Sequence, residues 1–573
     1  MSSLGHQLAT SVLVVGAGGS GLRAAIEVAE AGVSVIVVAK SMTENAPAAI
    51  GSAGPMRPAA GSEPDEVWQR HAAETLREGR LLADPHTAQA VARYAERGSQ
   101  DTGRHSPRPE RGGQVPRRSG HAHDSTACAG EQGGPGVHRA LRIRAAELGI
   151  PVLTGVYVTR LLVDDGTVFG AYGFDLVDGS RYLTHADAVI LATGGHTRIW
   201  RRTSSRRDES GGDAFRLATE AGARLRDPEL VQFHPLGLVG PEHAAGLLLD
   251  EAVRDEGGVL LNNLGERFMT RYEPEHLERG SQDRVAAAVC TEIKAGRGTQ
   301  AGGVWLDLSH LPRETVLTRL RQVHQSLLDV QTLDITRDPV EVTPTAQYSL
   351  GGVRVEPEDH STEVTGLYVI GEAAGAPHGA RRLRENALLE LLAHGRIAGR
   401  AAAEYSARLT VQQRSPAAVR AAETDMTRLL AADGDQNVRA LLRSVRHLMS
   451  EHAGVVRDEA GLAAGLDGLD GIEARTAHAG IHIDIGGLQD LAYAYDLRST
   501  LLAARATLEC ARERRETRGG HHRSDHPDAG PGPGVALVWS PTTGVRREPV
   551  PPTRVADSMR DVSADAGSPR QPR

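Results

Sequence analysis

The sequence predicts an α/β fold that begins with a parallel sheet. Two short segments near the N-terminus have the β-branched, apolar composition of buried strands, and a segment with helical periodicity lies between them. With 573 residues the chain is too long for one hydrophobic core, so we expect about three or four domains. Its 40% hydrophobic and 24% charged residues are ordinary for a globular chain.

Residues 12–38 contain a complete strand–helix–strand unit. The first strand is predicted from Val12 to Val15 and the second from Val33 to Val38. The apolar positions of the helix between them are Leu22, Ala25, Ile26 and Ala29. Such a unit places two parallel strands side by side, with the helix packed across them.

The turn between the first strand and the helix reads Gly16-x-Gly18-x-x-Gly21. Gly16 allows a tight turn, Gly18 lets a pyrophosphate approach the backbone, and Gly21 permits close helix–strand packing. Within a complete strand–helix–strand unit, this pattern predicts a Rossmann-like dinucleotide-binding domain rather than a glycine-rich turn alone. A simple NAD site has an acidic residue at the end of the second strand, but Ala39-Lys40-Ser41 stands there.

Several classes of function are disfavoured by composition. The net charge of −8 is spread along the chain and does not indicate a nucleic-acid partner. Cys128, Cys290 and Cys510 are too few and too far apart for a disulfide framework or a Cys-ligated iron–sulfur cluster. The His-rich segments 121–128 and 519–526 lack metal-ligand spacing, so no metal site is predicted. We expect a cytoplasmic protein without a signal peptide, and no apolar run approaches the roughly 20 residues of a transmembrane segment.

Five longer segments carry a more specific signal. They are "VQFHPLGL" (231–238), "DEAVRDEGGVLLNNLGERFMTRY" (250–272), "TPTAQYSLGGVRV" (343–355), "GLYVIGEAAGAPHGARRL" (366–383) and "RRETRGGHHRSD" (514–525). Together they resemble the flavoprotein subunits of succinate dehydrogenase and fumarate reductase, with L-aspartate oxidase as a close relative. The resemblance runs in order from residue 11 to about residue 545.

The resemblance implies an FAD-binding, Rossmann-like domain with an inserted capping domain and a C-terminal helical domain. The FAD-binding domain takes residues 1–235 and 345–405, and the capping domain takes 236–344. The helical domain follows at 406–518, and residues 519–573 form a C-terminal arm and a disordered tail.

Cofactor-binding positions are carried over from the family one residue at a time. The pyrophosphate loop matches Gly16, Gly18, Gly19 and Gly21, and the remaining FAD-contacting positions are Lys40, Ser41, Thr193, Gly194, Gly195, Asp213, Glu372, Asn386, Ala387 and Leu388. The family's flavin-linking histidine has no counterpart in "NAPAAIGSAG" (45–54), which implies noncovalent FAD. The family's "RLGGNSL" reads here as "RLRENAL" (382–388), so two glycines have become Arg384 and Glu385.

The resemblance also implies a reaction. In the family a hydride passes between flavin N5 and one carbon of a dicarboxylate, while an arginine moves a proton at the neighbouring carbon. His234 and Arg382 match carboxylate-binding residues, and Glu251 and Arg254 match the relay that feeds the catalytic arginine with protons. Arginine suits such a site because it binds a carboxylate bidentately.

Three positions of the implied site differ from the family. The substrate-binding threonine is Asp250, the second histidine is Gln347, and the catalytic arginine is Gln282 in "GSQDR". Glutamine has no proton to release, and losing a positioned acid costs roughly 10²–10⁴-fold in rate. Arg284 should point away from Gln282 along the helix that Ser281 is positioned to cap, and Arg279 is the better candidate for a displaced donor.

The changed charges predict an altered substrate. A pocket that loses an arginine and a histidine and gains a carboxylate disfavours a dianion. One carboxylate could meet Arg382 and His234, while Asp250 would favour an amine or hydroxyl at the other end. The leading hypothesis is therefore an FAD-dependent oxidoreductase acting beside a carboxylate. The alternatives are a degenerate homologue with a structural or regulatory role and an oxidase of the aspartate oxidase kind. An iron–sulfur subunit or a small electron carrier is a possible partner.

Overall fold

The structure is a computed structural model that describes residues 5–42, 64–94, 133–375, 377–384, 386–483, 488–530, 532 and 534–552. Four sequence predictions concern other residues. The segment without the flavin-linking histidine (45–54), the His-rich segment 121–128, Glu385 and the tail beyond residue 552 all lie outside the described residues.

Nineteen strands are found in the described part of the chain. They are β1 (His6–Val15), β2 (Val35–Ala39), β3 (Val152–Thr154), β4 (Val156–Asp164), β5 (Thr167–Asp175), β6 (Arg181–Leu191), β7 (Leu225–Arg226), β8 (Val231–Leu238), β9 (Val259–Leu261), β10 (Val304–Asp307), β11 (Val340–Ser349), β12 (Gly352–Val353), β13 (Leu367–Val369), β14 (Gln436–Asn437), β15 (Val456–Arg457), β16 (Ala479–Gly480), β17 (His522–Arg523), β18 (Val535–Ser540) and β19 (Gly544–Pro549).

The α-helices are distributed along the whole chain. They are α1 (Gly19–Glu30), α2 (Pro64–Glu78), α3 (Gly133–Glu147), α4 (Asp213–Ala221), α5 (Ala252–Asp255), α6 (Met269–Tyr272), α7 (Gln282–Glu292), α8 (Arg313–Arg319), α9 (Arg321–Gln331), α10 (Asn386–Arg408), α11 (Pro416–Leu430), α12 (Val438–His452), α13 (Glu459–Thr476) and α14 (Gln489–Glu513). Residues 85–94 are also helical. Among the described residues, none of the helices has the length and apolar character that crossing a bilayer requires.

The largest sheet has the strand order β3-β2-β1-β6-β5-β4, with β13 also paired to β6. Strands β2, β1, β6 and β13 run parallel, whereas β5 and β4 join antiparallel. Val15 lies opposite Val38 on one side and Leu191 on the other. The loops that follow these parallel strands therefore meet at one edge of the sheet, where α/β folds bind their ligands.

The predicted first unit is present, with one shift in its second strand. This strand begins at Val35 rather than Val33. The Val33 N–H donates to the Val28 carbonyl at 3.2 Å, and Gly32 has φ +76°. Val33 thus belongs to the turn that closes α1, because its amide satisfies a helix carbonyl instead of a strand partner.

A second, antiparallel sheet has the order β8-β11-β10-β9. Apolar side chains of this region form their own buried cluster, which includes Leu236, Leu260, Phe268, Val289 and Leu306. The predicted limits of the capping domain fall inside β8 and β11. These two paired strands therefore run without a break from the proposed FAD-binding segment into the proposed cap.

The C-terminal region packs onto the segment that is predicted to bind FAD. Strands β18 and β19 form a hairpin, and β18 pairs with β7, which also pairs with β12. Arg514, just after α14, donates to Asp227 at 2.8 Å and to Glu229 at 2.6 Å. All three side chains are at most 6% exposed. This buried ion cluster joins the last helix to the loop between β7 and β8.

We predict that Arg514→Met destabilises the protein by about 3–5 kcal/mol, because it leaves the buried Glu229 without its paired cation and leaves Asp227 only Arg226, at 3.5 Å. Arg547→Met is the control, since Arg547 pairs with Glu513 at the surface, where both side chains are about half exposed and such a pair contributes about 0–1 kcal/mol. Urea unfolding of both variants checks the prediction. Equal losses of stability in the two variants would contradict it.

Candidate active site

The glycine turn after β1 is tightly enclosed. Gly16 has φ +115°, and a Cβ at this position would lie 2.2 Å from the Ala192 carbonyl oxygen. A Cβ on Gly21 would lie 1.9 Å from the Gly16 carbonyl oxygen. Gly18 occupies the cap position of α1, whose first residue is Gly19. Since Gly18 has no side chain to bond the first N–H groups of the helix, these groups can bind a phosphate.

The loop after β6 lies at the same edge of the sheet. Thr193 Oγ1 is buried and makes no hydrogen bond, and Gly194 has φ +77°. A Cβ on Gly195 would lie 2.1 Å from Ser349 Oγ and 2.8 Å from Glu372 Oε1. Glu372 follows β13 and accepts a hydrogen bond from the Ser349 N–H at 3.0 Å. Burial raises the pKa of Glu372 to about 7, so this carboxyl is poised to exchange hydrogen bonds with a hydroxyl group.

Lys40 and Asp213 belong to one buried ion cluster. Lys40 Nζ lies 2.9 Å from Asp213 Oδ2 and 2.9 Å from Asp496 Oδ1. Tyr157 and Ser499 also donate to Asp213, so both of its carboxylate oxygens are bonded within the protein. Burial lowers the pKa of Lys40, but the two carboxylates outweigh it and raise this pKa above its ordinary value. The cluster ties the end of β2 to the start of α4 and to α14.

Asn386, Ala387 and Leu388 form the first turn of α10. Asn386 Oδ1 pairs with His71 Nε2 at 2.9 Å, while Asn386 Nδ2 is buried without a hydrogen bond. The side chains of Ala387 and Leu388 pack in apolar clusters, which leaves their backbone for a ligand.

The predicted cofactor residues therefore converge. Those that follow the four parallel strands are Gly16, Gly18, Gly19, Gly21, Lys40, Ser41, Thr193, Gly194, Gly195 and Glu372. Two buried polar atoms without partners, on Thr193 and Asn386, are available to bond a ligand. Glycine turns without room for a Cβ and unsatisfied polar atoms fit a dinucleotide such as FAD.

The pairing of β8 with β11 places the substrate residues. His234 lies opposite Thr345, and Gln232 lies opposite Tyr348. Since side chains alternate along a strand, Gln232 and His234 share a face. The register shifts at Gln347, which has no direct partner on β8. This irregularity puts an extra residue beside the site.

A chain of hydrogen bonds links Arg382 to Glu251. Arg382 Nε donates to Gln232 Oε1 at 3.0 Å, and its guanidinium lies 4.7 Å from the centre of the Tyr348 ring. Gln232 Nε2 donates to Gln282 Oε1, and Gln282 Nε2 donates to Glu251 Oε1. The side-chain amide of Gln282 thus connects the predicted substrate-binding residue Arg382 with the predicted relay residue Glu251.

Glu251 is the buried charge of the site. Arg254 Nη2 donates to its Oε1 at 2.6 Å, and Arg254 Nη1 donates to the carbonyl oxygens of Glu278 and Gly280 at 2.8 Å. Burial by itself would raise the pKa of Glu251, but Arg254, His234 and Arg384 lower it to about 2. Glu251 is therefore ionised near neutral pH and accepts hydrogen bonds rather than donating them.

His234 is neutral near pH 7. Burial lowers its pKa to about 4, although Glu251 favours the charged form. The Leu236 N–H donates to His234 Nδ1 at 3.1 Å. The single ring proton must then sit on Nε2, which lies 3.6 Å from Glu251 Oε1 and can donate to a carboxylate.

Gln282 is the first residue of α7. Ser281 stands at its cap position with an extended backbone, but its Oγ is buried without a hydrogen bond, so the predicted side-chain cap is absent. Arg284 is 66% exposed and pairs with Glu273, away from Gln282, as its helical position predicts. Arg279 is exposed on the preceding turn.

The two other altered positions present hydrogen-bond acceptors. Asp250 is exposed, and its Oδ1 accepts the Ala252 N–H at 2.8 Å at the start of α5. Gln347 Oε1 is buried and accepts no hydrogen bond. A buried acceptor without a partner costs about 1–3 kcal/mol, which a ligand with an N–H or O–H group can recover.

Sequence reasoning missed three contributors. Gln232 links Arg382 to Gln282, Tyr348 lies under Arg382, and Arg384 faces Glu251 across 3.9 Å. The period-2 spacing of Gln232 and His234 within one strand could have indicated that Gln232 faces the site, but not which residues it bonds. The other two depend on contacts between distant segments. In the part of the chain that the structure describes, no group of three or more His, Cys, Asp or Glu could hold a metal ion.

Comparison with known proteins identifies the family to which the chain is similar. The FAD binding domain family model matches residues 11–388, and the fumarate reductase flavoprotein C-terminal model matches residues 442–543. A fumarate reductase (CoM/CoB) polypeptide of Methanothermobacter marburgensis is 35% identical over 91% of this chain and 95% of that protein. The succinate dehydrogenase flavoprotein subunit of Rickettsia bellii is 31% identical over 90% of each chain.

A solved structure agrees with these matches. Mycobacterium smegmatis Sdh1, determined in complex with UQ1, has a TM-score of 0.87 and 32% identity, with 98% of each chain covered. The likeness spans the FAD-binding, capping and helical regions together. This chain therefore belongs to the succinate dehydrogenase and fumarate reductase flavoprotein family, and it is an FAD-dependent oxidoreductase.

Proposed function

We propose that this oxidoreductase transfers a hydride between noncovalently bound FAD and a substrate with one carboxylate and an amine or hydroxyl in place of a second. The bond that reacts is a carbon–carbon or carbon–nitrogen bond beside the carboxylate. When bound, the flavin supplies N5 as the hydride acceptor or donor. The observation that carries the altered substrate is the buried, unsatisfied Oε1 of Gln347, at a position where the family binds a carboxylate.

Arg382 and His234 suit the carboxylate end of this substrate. The bond to Gln232 and the Tyr348 ring fix the plane of the Arg382 guanidinium, so that it can bind a carboxylate bidentately. Neutral His234 can donate its Nε2 proton to the same group. Preorganised donors of this kind orient the substrate at little further entropic cost.

Gln347 and Asp250 suit the other end. Both offer acceptor oxygens, and the exposed Asp250 adds a negative charge. An amine or hydroxyl would satisfy these acceptors, whereas a second carboxylate would meet like charge at Asp250 and would bring no donor to the Gln347 oxygen. These positions thus disfavour a dicarboxylate, and they also favour a substrate with an amine or hydroxyl in place of the second carboxylate.

The proton-transfer step of the family has no acid at its usual place. Gln282 cannot release a proton, and Glu251 is ionised because of its low pKa. We therefore expect any substrate that reacts at a carbon–carbon bond, a dicarboxylate included, to react roughly 10²–10⁴-fold more slowly than with a positioned acid. Oxidation at a carbon–nitrogen bond avoids this loss, because the proton leaves from the amine of the substrate itself to solvent. The intact links among Arg382, Gln232, Gln282, Glu251 and Arg254 support an enzyme rather than a degenerate homologue, since they keep the site ordered.

Electrons must reach or leave the flavin through a partner. The relatives are named as subunits, which supports an iron–sulfur subunit in this role. A small electron carrier is the alternative partner that we propose.

We predict that the purified protein shows the absorption bands of oxidised flavin after gel filtration. Acid precipitation should then release the flavin into the supernatant, because the sequence offers no histidine at residues 45–54 to link it. Flavin that stays with the precipitate would contradict noncovalent binding. A folded protein that remains colourless after incubation with FAD would favour the degenerate homologue.

We predict that 4-hydroxybutanoate or 4-aminobutanoate binds about tenfold more tightly than succinate, since one hydrogen bond to a charged or buried group has about this effect. Gln347→His should move the preference about tenfold toward succinate. Gln325→His is the control, because Gln325 lies exposed on α9 and bonds Asp329. Calorimetric titration gives the dissociation constants. Turnover of succinate or fumarate at about 1–10³ per second, as is usual for enzymes, would show that the proposed substrate class is wrong.

A further inference from the structure

Arg384 lies close to the carboxylate of Glu251, the ionised group at the centre of the hydrogen-bonded chain described above. Its Nη1 lies 3.9 Å from Glu251 Oε2 and 3.1 Å from Asp255 Oδ2. Arg384 and Asp255 are each about half exposed, so water screens their pairing. Glu251 is only 15% exposed, so the attraction between Arg384 and Glu251 is screened less.

The two oxygens of Glu251 have different neighbours. Oε1 accepts from Arg254 and Gln282 and lies 3.6 Å from His234, whereas Oε2 faces Arg384. Gln282 brings a hydrogen bond but no charge. Among the described residues, the two arginines that lie within 4 Å of this carboxylate are therefore Arg254 and Arg384, one at each oxygen.

We propose that Arg384 is a positioning residue that supplies the second positive charge at Glu251 and so allows a neutral glutamine at position 282. Residues 282 and 384 then determine together, through Glu251, which substrate charge the site accepts. This inference rests on the proposed function, because it explains how the relay carboxylate stays fixed in a site rebuilt for a substrate with a single carboxylate.

Restoring the family residue would then create a conflict of charge. An arginine at position 282 would bring a third guanidinium to Glu251, beside Arg254 and Arg384. Like charges around one buried carboxylate repel each other, so the new side chain would turn away from the place where it could meet a second substrate carboxylate. Removing the Arg384 charge relieves this conflict.

The test is a double-mutant cycle on the purified holoprotein with Gln282→Arg, Arg384→Gln and both changes together. Calorimetric titration with succinate and with 4-hydroxybutanoate measures binding without turnover. Gln282→Arg alone should change succinate affinity by less than about threefold. In the Arg384→Gln background it should tighten succinate binding by about tenfold, a coupling within the range of contacting residues. Additive effects of the two changes would overturn the proposal.

Single variants provide a second test that does not need Gln282→Arg to fold. Arg384→Gln should weaken 4-hydroxybutanoate binding by about tenfold, because Oε2 of Glu251 then loses the cation that faces it and Glu251 shifts together with the groups bonded to it. Arg384→Lys should restore most of the affinity, since it retains the charge. Arg319→Gln, which removes an exposed arginine paired with Glu256 in the capping region, is the control for a general loss of charge. Unchanged binding by Arg384→Gln, or no rescue by lysine, would also overturn the proposal.

The cycle separates this inference from the proposed function. Tight binding of succinate by the wild-type protein would contradict the substrate class, whatever the variants do. The coupling between positions 282 and 384 compares the effect of Gln282→Arg on succinate affinity with and without Arg384. It can therefore be present or absent whether or not the wild-type protein binds succinate tightly.

Discussion

The antiparallel pairing of β8 with β11 is the interaction on which the rest of the site depends. It sets His234 opposite Thr345 and Gln232 opposite Tyr348, and it carries both strands from the FAD-binding segment into the capping sheet. Because the side-chain period of a strand is two residues, this register turns Gln232 and His234 to one face. A slip by one residue would send both away from Arg382 and Glu251.

Around this pairing the site is arranged to hold one buried negative charge. Glu251 stays ionised because Arg254 is fixed on two backbone carbonyls and Arg384 faces the second carboxylate oxygen. The neutral groups between Glu251 and Arg382 are amides, which can pass a hydrogen bond but not a proton. The family scaffold is therefore retained, while at the position where we propose that the family has its acid, Gln282 forms a link that orders the site without supplying a proton.

The two halves of the catalytic machinery differ in how far they follow the family. At the sheet edge, enclosed glycines and the unsatisfied Thr193 and Asn386 atoms fit FAD closely. At the substrate end, Gln282, Gln347 and Asp250 change charge and hydrogen-bonding capacity together. This division suits a protein in which the flavin chemistry is retained and the substrate has changed, because the two sets of residues lie on different elements and can vary separately.

The sequence alone determined the glycine turn and the strand–helix–strand unit, and it supplied the prediction that Asp250, Gln282 and Gln347 are altered, because these depend on local spacing and on motifs in chain order. It also predicted that Arg284 would point away from Gln282, since helical rotation is local. The tertiary structure decided the rest. That Gln232 bridges Arg382 and Gln282, that Lys40 and Asp213 share an ion cluster, and that Arg384 faces Glu251 follow from contacts between segments tens to hundreds of residues apart. No local pattern encodes such contacts, because they arise only when the sheet edge and the two paired strands have come together.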